Sequence, residues 1–280
     1  MINKYKWWEI LLIYVGLAAL LLFMLAPFIE AFLVSLRPID GLFSVPYRFF
    51  SGKMSFKAYL DMWSTVPMLP RYIFNSLFIA LAIALLGLTA VIPAAYAFAR
   101  YEFKGKGSLL AAFLAINMVS GAVLIIPLYK VMQSLGLLNT YLAIILPGTA
   151  FNIPTKIWLL RSYFLKIPKE LEEAALVDGA SRLYTLRRVI IPVAMPGIIV
   201  VAVAGFISGY AQQFIYAITF NSKSEINPLP VGLFQFFGQQ EILWNQVMAA
   251  SLVGILPVMV VYAFLQKYVV AGLTSGAVKS

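Results

Sequence analysis

The first candidates for chemistry in this sequence are polar side chains that lie inside otherwise apolar stretches. They are amides, a hydroxyl and phenols: Asn117, Asn152, Ser208, Tyr210, Gln212, Gln213 and Tyr216. Amide groups can hydrogen-bond the hydroxyls of a sugar, and an aromatic ring can pack against its C–H face. The set is therefore a candidate pathway for a sugar.

The same residues can also be interpreted as hydrogen-bonding contacts between packed helices, which polar side chains commonly provide in membrane proteins. For Asn117 and Ser208 we favour this second interpretation. For Gln212 and Gln213 we favour the pathway, because two adjacent amides on a helix cannot both face the same neighbouring helix.

The composition places these residues in an all-α membrane protein. Hydrophobic residues make up 62% of the 280 residues and charged ones 11%, with a mean hydropathy of +0.91, whereas soluble domains carry about 25% charged residues. A helix needs about 20 mainly apolar residues to cross a bilayer. We predict a single transmembrane domain over residues 1–280, whose six spans are at about 9–36, 73–99, 109–132, 141–164, 195–220 and 244–270. The first is expected to be an uncleaved span, because no clear small-x-small cleavage site follows it.

The distribution of Lys and Arg predicts the orientation of the chain. Positively charged loops resist translocation, and these residues are most frequent before the first run, after the second and fourth runs, and near the C-terminus. Both termini are therefore expected in the cytoplasm. The formal net charge of +10 then reflects topology and attraction to membrane lipid, not binding to nucleic acid. Glu30 and Lys156 are expected at the membrane rim or at a subunit interface.

The residue inventory argues against an enzyme. The sequence has no Cys and no His, which removes thiolate and imidazole metal ligands and a histidine general base. Asp40, Asp61 and Asp178 fall in predicted loops, and no GxxxxGK[ST] phosphate loop occurs. We therefore expect no catalytic residue, no metal site and no cofactor on this chain. A stand-alone secondary transporter or channel is the alternative, although we find neither an inverted repeat nor deeply placed ionisable residues for ion coupling.

A charged segment at 165–192 separates two apolar runs. Acidic residues after Pro168 predict a short helix that ends near Asp178. Gly179 permits a sharp turn, Ser181 can cap a second short helix, and Pro192 is expected to end that helix.

The second short helix carries an apolar stripe formed by Leu183, Leu186 and Ile190. Its other faces carry arginines: Arg182, Arg187 and Arg188. The periodicity alone supports two interpretations equally, an amphipathic helix in the lipid headgroup layer and a helix that docks on a soluble partner.

A residue pattern in this segment separates the two interpretations. It combines E-A-A, D-G-A and a final apolar residue with Pro: Glu173, Ala174, Ala175, Asp178, Gly179, Ala180, Ile191 and Pro192. This pattern resembles the cytoplasmic signature loop in the permease subunits of bacterial and archaeal ABC importers.

Other stretches narrow the resemblance to maltose-type sugar permeases. They are Asn75 with Ser76, the run 228–233, Trp244 with Ala249, Ala250 and Ser251, and the tail 272–279. The tail is similar to that of the MalG-like subunit, which lacks the large extra periplasmic domain of its permease partner. The chain departs from the pattern at 211–214, where it has A-Q-Q-F and many relatives have W-N-E-F.

The resemblance implies a type I ABC importer permease fold and a set of partners. These are a second, MalF-like permease subunit, two cytoplasmic ATPase subunits that bind ATP and Mg²⁺, and an extracytoplasmic solute-binding protein. The chain is then half of an alternating-access pathway for a maltose- or trehalose-like sugar. The residues implied at the ATPase are Glu173, Ala174, Ala175, Asp178, Gly179, Ala180, Ser181, Leu183, Leu186, Arg187, Arg188 and Pro192, with Gly272, Leu273, Thr274 and Gly276 of the tail. Those implied near the binding protein are Asn227, Pro228, Gly232 and Gln235. From the sequence alone, the loop that holds them could equally form a cap over the helix ends.

Overall fold

The computed structural model describes residues 6–42, 54–119, 121–238 and 241–274, without the side chains of residues 40, 41 and 268–274. These parts are helical apart from turns, short 3₁₀ segments and one isolated antiparallel bridge between Phe237 and Ile242. The α-helices are α1 (Trp7–Leu36), α2 (Ile39–Leu42), α3 (Lys57–Thr65), α4 (Leu69–Arg100), α5 (Lys106–Met118), α6 (Ile125–Ser134), α7 (Tyr141–Phe164), α8 (Glu170–Val177), α9 (Arg182–Thr185), α10 (Ile191–Phe220), α11 (Leu229–Gly232) and α12 (Trp244–Thr274).

Long apolar helices cover most of the predicted spans. Within the described residues, five helical stretches are long and apolar enough to cross a membrane: Trp7–Leu36, Leu69–Arg100, Tyr141–Phe164, Arg182–Phe220 and Trp244–Lys267. Each contains or closely matches one of the runs that the sequence predicts. The prediction of an all-α membrane protein is therefore confirmed for this part of the chain.

The predicted third span, 109–132, is wrong as a continuous helix. The structure has α5 and α6 instead, with non-helical residues in between. Val119 leaves the helical region at φ −84° and ψ 119°, and Pro127 lies in the first turn of α6. A proline is tolerated there because the first N–H groups of a helix have no partner within it, whereas it would disrupt a helix interior.

One compact unit comprises Met68–Gly232 and Leu256–Ser280. Its centre is the packing of α4, α7 and α10 on one another. Close approach depends on glycine, since a Cβ at Gly209 of α10 would lie 3.2 Å from Ile83 and 3.3 Å from the Cα of Ala80 on α4. Apolar side chains such as Phe164 and Ile190 fill the core at one end of these helices.

The other compact unit comprises Met1–Pro67 and Leu233–Ile255. Ser35 of α1 and Tyr59 of α3 share a hydrogen bond of 2.8 Å between their hydroxyls. Arg37 lies 3.6 Å from the carboxylate of Glu30, and its carbonyl accepts a hydrogen bond of 3.2 Å from Asn245. The apolar span of α1 itself is exposed throughout.

Candidate functional site

The turn between α8 and α9 is a glycine-based helix C-terminus. Gly179 has φ +83°, its N–H donates to the carbonyl of Leu176 over 3.1 Å, and the N–H of Ala180 donates to that of Ala175 over 3.0 Å. This pair of bonds is the Schellman motif, which requires a left-handed residue just after the helix. The predicted turn at Gly179 is confirmed, and the motif explains why glycine stands at this position.

The helix after the turn is capped as predicted, but its apolar stripe does not face outward as a whole. The Ser181 hydroxyl accepts from the N–H of Tyr184 over 3.3 Å. Leu183 is exposed, whereas Leu186 and Ile190 are 8% and 0% exposed and pack into the core between α4, α7 and α10. The predicted stripe is therefore wrong as a docking face, because two of its three residues are buried in their own chain.

Pro192 does not end the second short helix, in contrast to the prediction. A π-helical turn, Leu186–Ile190, joins α9 directly to α10, and Pro192 lies in the first turn of α10. The N–H of Ile191 donates to the carbonyl of Leu186, five residues earlier. This wider turn shifts the hydrogen-bond register just where proline lacks a donor, so the helix continues without a break.

Apolar side chains around the Gly179 turn face outward. Val177 and Leu176 at the end of α8 are 86% and 45% exposed, and Leu183 and Tyr184 of α9 are each 57% exposed. We call these four residues the loop face. Exposed charges flank them at Glu173, Asp178, Arg187 and Arg188. An apolar cluster with a charged rim is typical of a protein contact.

The inner side of the segment is fixed to α4 by residues that the sequence analysis did not identify. Arg100 donates through Nε to Glu172 Oε1 and through Nη2 to the carbonyl of Ile167, the latter over 2.8 Å. Tyr96 donates to Glu172 Oε2 over 3.0 Å. We call Tyr96, Arg100 and Glu172 the α4 clamp. The sequence signals for this contact are an Arg at the end of one helix and a Glu in the first turn of another. These two residues are too far apart in the sequence for a local pattern to indicate that they meet.

Aromatic and ionic contacts extend this arrangement beyond the clamp. The guanidinium of Arg182 in α9 lies 5.3 Å from the ring centroid of Tyr101, which caps the end of α4. After α4, the hydrogen bond and charge of Lys106 keep the pKa of the exposed Glu102 below its usual range. The 165–192 segment is therefore held by both its helices against the end of α4.

A groove of about 440 Å³ lies among α5, the residues just after it, α7 and α10. Asn117, Gln212 and Tyr216 line it, together with the non-helical residues around Gly121. Asn152 lies behind Gln212 and donates to its side-chain oxygen over 3.4 Å. The structure thus brings together four of the predicted pathway residues.

Asn117 contributes both to the groove and to a contact between helices. Its amide donates to the carbonyl of Phe113 over 2.8 Å, and its oxygen accepts from the hydroxyl of Thr155 on α7 over 2.9 Å. The interhelical interpretation of this residue therefore coexists with a position on the groove wall.

Gln213 and Tyr210 lie outside the lining of the groove. Gln213 is 0% exposed and its amide donates to the carbonyl of Ser76 on α4 over 2.8 Å. Tyr210 packs with Phe206, with ring centroids 6.4 Å apart. The pathway assignment of Gln213 is corrected to an interhelical contact, because consecutive residues of a helix point about 100° apart.

Lys156 is buried within the chain, in contrast to its predicted place at the membrane rim or at a subunit interface. It is 8% exposed, and its ammonium donates to the Ser208 hydroxyl on α10 over 3.3 Å. Ser208 therefore makes the interhelical contact that the sequence analysis favoured.

Residues 221–232, which the charge distribution predicts on the outer side of the membrane, fold back onto α4. We call this stretch the outer segment. Asn75 donates to the carbonyls of Glu225 and Asn227, both over 2.9 Å, and Ser76 accepts from the N–H of Leu229 over 2.8 Å. Pro228 and Gly232 are buried, the latter against the ring of Tyr72.

This packing bears on three of the predicted binding-protein contacts. Pro228 and Gly232 are buried, so they cap the helix ends and do not face outward. Asn227 is half-buried and accepts through its carbonyl from Asn75, and its contact with the binding protein stays a prediction. Gln235 is exposed. In the predicted tail, Gly272, Leu273 and Thr274 continue α12, and Gly276 lies outside the described residues.

Long apolar helices, a charged loop fixed to their ends and a polar groove between them define a multi-pass membrane transport protein. The chain belongs to the family described as binding-protein-dependent transport system inner membrane component, whose model matches residues 17–275. It is thus a cell-membrane component of such a system, and relatives in this family are named as ABC transporter permeases.

Two relatives and one solved structure illustrate the similarity. The inner membrane ABC transporter permease protein YcjP of Escherichia coli (strain K12) is 35% identical over 95% of each chain. The trehalose/maltose transport system permease protein MalG of Thermococcus litoralis is 38% identical over 75% of this chain and 76% of its own. A chain of a bacterial ABC transporter that imports the acidic polysaccharide alginate superposes with a TM-score of 0.77 and 24% identity, covering 94% of this chain and 98% of its own. The last similarity shows the shared fold.

Proposed function

We propose that this chain forms half of the membrane pathway of an ATP-driven ABC importer for a maltose- or trehalose-like sugar. The observation that carries the sugar assignment is the groove, where the amides of Asn117 and Gln212 lie with the ring of Tyr216. Such groups bind sugar hydroxyls and C–H faces. The name of the trehalose/maltose relative supports the same class.

The proposed topology has six crossings and both termini in the cytoplasm. The 13 residues of α5 rise about 20 Å, which is short of a bilayer core of about 30 Å. We assign the third crossing to α5 and α6 together, with Val119 and residues 121–124 between them. Irregular backbone is tolerated at membrane depth where it lines a polar cavity, and residues around Gly121 line the groove.

The loop face is the proposed docking site for a cytoplasmic ATPase subunit. Its apolar side chains would be covered on docking, and Glu173, Arg187 and Arg188 would lie at the rim. ATP and Mg²⁺ bind to the two ATPases, so this chain supplies no group to ATP hydrolysis. Closure of the ATPases moves the loop and changes the side to which the pathway opens.

The remaining proposed partners complete the importer. A second, MalF-like permease subunit supplies the other half of the pathway. The tail from Gly272 reaches the ATPases. The external binding protein is proposed to contact exposed residues of the outer segment such as Lys223, since the inward-facing residues of 221–232 are unavailable. Gln235, in the other compact unit, stays a separate proposed contact.

Reconstitution of the complete importer tests this function. A panel of sugars is first screened for a rise in melting temperature of the associated binding protein. The stabilising sugar should then accumulate in proteoliposomes only when ATP and the binding protein are both present. Accumulation under an ion gradient alone would instead support the stand-alone secondary transporter.

A further inference from the structure

The α4 clamp is built so that its buried charges are satisfied away from water. The side chains of Arg100 and Glu172 are 5% and 12% exposed. Both oxygens of Glu172 accept hydrogen bonds, one from Arg100 and one from Tyr96. Removing one partner of such a pair leaves the other buried and uncompensated. The clamp therefore resists separation of α8 from α4.

Neighbouring glutamates on α8 show that this contact is specific to one position. Glu170 and Glu173 are exposed, whereas Glu172 turns inward to α4. Acids in the first turn favour a helix through its dipole at any of these positions. Of the three, Glu172 is the one that connects that turn to α4.

The opposite end of α4 holds the outer segment in a similar way. The amide nitrogen of Asn75 donates to the carbonyls of Glu225 and Asn227. Its side-chain oxygen accepts a hydrogen bond of 2.8 Å from the Tyr141 hydroxyl. Ser76 accepts from the N–H of Leu229. The 32 residues of α4 span about 48 Å, so one helix joins the 165–192 segment to the 221–232 segment.

Along the chain, the 165–192 segment is joined to the outer segment by α10. The contacts of α4 add a second, noncovalent link, because α4 is not adjacent in sequence to either segment. We propose that Glu172, through Arg100 and Tyr96, is a positioning residue that makes α4 a second mechanical connection, beside α10, between the ATPase-facing loop and the outer segment. This inference rests on the proposed docking of the loop face on an ATPase.

The clamp predicts how a movement of α8 at the ATPase should reach the outer segment. If α8 moves with a docked ATPase, an intact clamp carries α4 with it, and Asn75 and Ser76 move the outer segment. Without the clamp, α8 can shift while α4 stays in place. Stimulation of ATP hydrolysis by the loaded binding protein, which acts at the outer side, should then weaken.

The first test measures that stimulation in the complete importer reconstituted in proteoliposomes. Glu172→Gln keeps size but removes the charge, and Tyr96→Phe removes one hydrogen bond. Glu102→Gln is the control, because Glu102 pairs with Lys106 over 2.7 Å at the same end of the bundle and is not part of the clamp. The stimulation ratio is the rate of ATP hydrolysis with loaded binding protein divided by the rate without it. We expect this ratio to fall about fivefold or more in Glu172→Gln, which is a typical size for the coupling between two sites.

The smaller change, Tyr96→Phe, tests the clamp if the importer with Glu172→Gln does not assemble. It should lower the same ratio less strongly, and Glu102→Gln should leave it unchanged. A purely structural role would lower the melting temperature of the complex and leave the ratio of the surviving complexes intact. That result would overturn the inference.

A distance measurement separates this inference from the docking proposal. The chain has no Cys, so spin labels can be placed at the exposed positions Glu170 on α8 and Thr89 on α4 and measured by pulsed EPR with and without ATP. The distance should stay constant between states in the unsubstituted complex and change with ATP in Glu172→Gln. An unchanged distance in Glu172→Gln would refute the clamp. Retained ATPase binding after Leu183→Asp would instead refute docking.

Discussion

Gln212 and Gln213 are adjacent amides with different surroundings. Gln212 lines the groove, whereas Gln213 is buried against α4 with a hydrogen bond to Ser76. We expect Gln212→Ala to lower sugar transport about fivefold through loss of a hydrogen bond worth about 1 kcal/mol, with an unchanged melting temperature. Gln213→Ala should lower the melting temperature of the complex and leave transport per folded complex constant.

Both quantities can be measured on one preparation by uptake of labelled sugar and by thermal unfolding. Gln133→Ala is the matched control, because Gln133 is an exposed amide on α6 that does not line the groove. If Gln212→Ala instead destabilises the complex and transports normally, the groove is not the sugar pathway.

Asn75 is the side chain on which the outer segment depends most. Asn75→Ala removes the donors to Glu225 and Asn227 and leaves their carbonyls without these bonds, a loss of about 1–3 kcal/mol. Hydrogen exchange of residues 221–232 should become faster, and the exchange of α5 should not change. Thr89→Ala, at an exposed position of the same helix, is the control. Equal exchange in both variants would contradict the role of Asn75.

At the scale of elements, the Gly179 turn makes a prediction that depends on backbone geometry alone. Nothing lies within 4 Å of a Cβ at Gly179, yet its φ is +83°. Gly179→Ala should therefore strain the turn by about 1–2 kcal/mol and lower transport per ATP hydrolysed. Gly107→Ala has equally open space and no positive φ, so coupling in that variant should be normal. Equal coupling in the two variants would show that the turn is not constrained.

The sequence predicts helices well where length and composition decide, and less well where tertiary contacts decide. The bounds predicted for α7 agree with the structure, and Gly179 and Ser181 mark their turn and cap correctly because these effects are local. The break between α5 and α6 was missed, since an apolar run does not reveal where it bends around a cavity.

Burial of individual side chains was predicted least well. Leu186 and Ile190 fit an amphipathic stripe equally well whether it faces a partner or the chain's own core. Lys156 is predicted at the rim or at a subunit interface, since a charge inside the membrane is costly, and only the structure shows its buried contact with Ser208. The clamp joins residues that are 72 and 76 positions apart, which no local pattern indicates.

At the scale of the whole molecule, the tail is proposed to contact the ATPases. Removal of residues 275–280 should weaken ATPase stimulation by the loaded binding protein without changing insertion of the chain in the membrane. The measurement is ATP hydrolysis by purified complexes of equal subunit composition. Normal stimulation would mean that these residues are not needed for coupling.

The central claim is that the loop face docks on an ATPase, and binding of that subunit tests it most directly. Leu183 and Leu135 are 57% and 59% exposed, so Leu183→Asp and Leu135→Asp introduce the same change on the loop face and on the α6–α7 connection. Loss of an apolar contact worth about 1.5–3 kcal/mol should weaken ATPase binding about tenfold to a hundredfold in Leu183→Asp. Leu135→Asp should bind like the unsubstituted chain. Equal ATPase affinity in both variants would contradict the account.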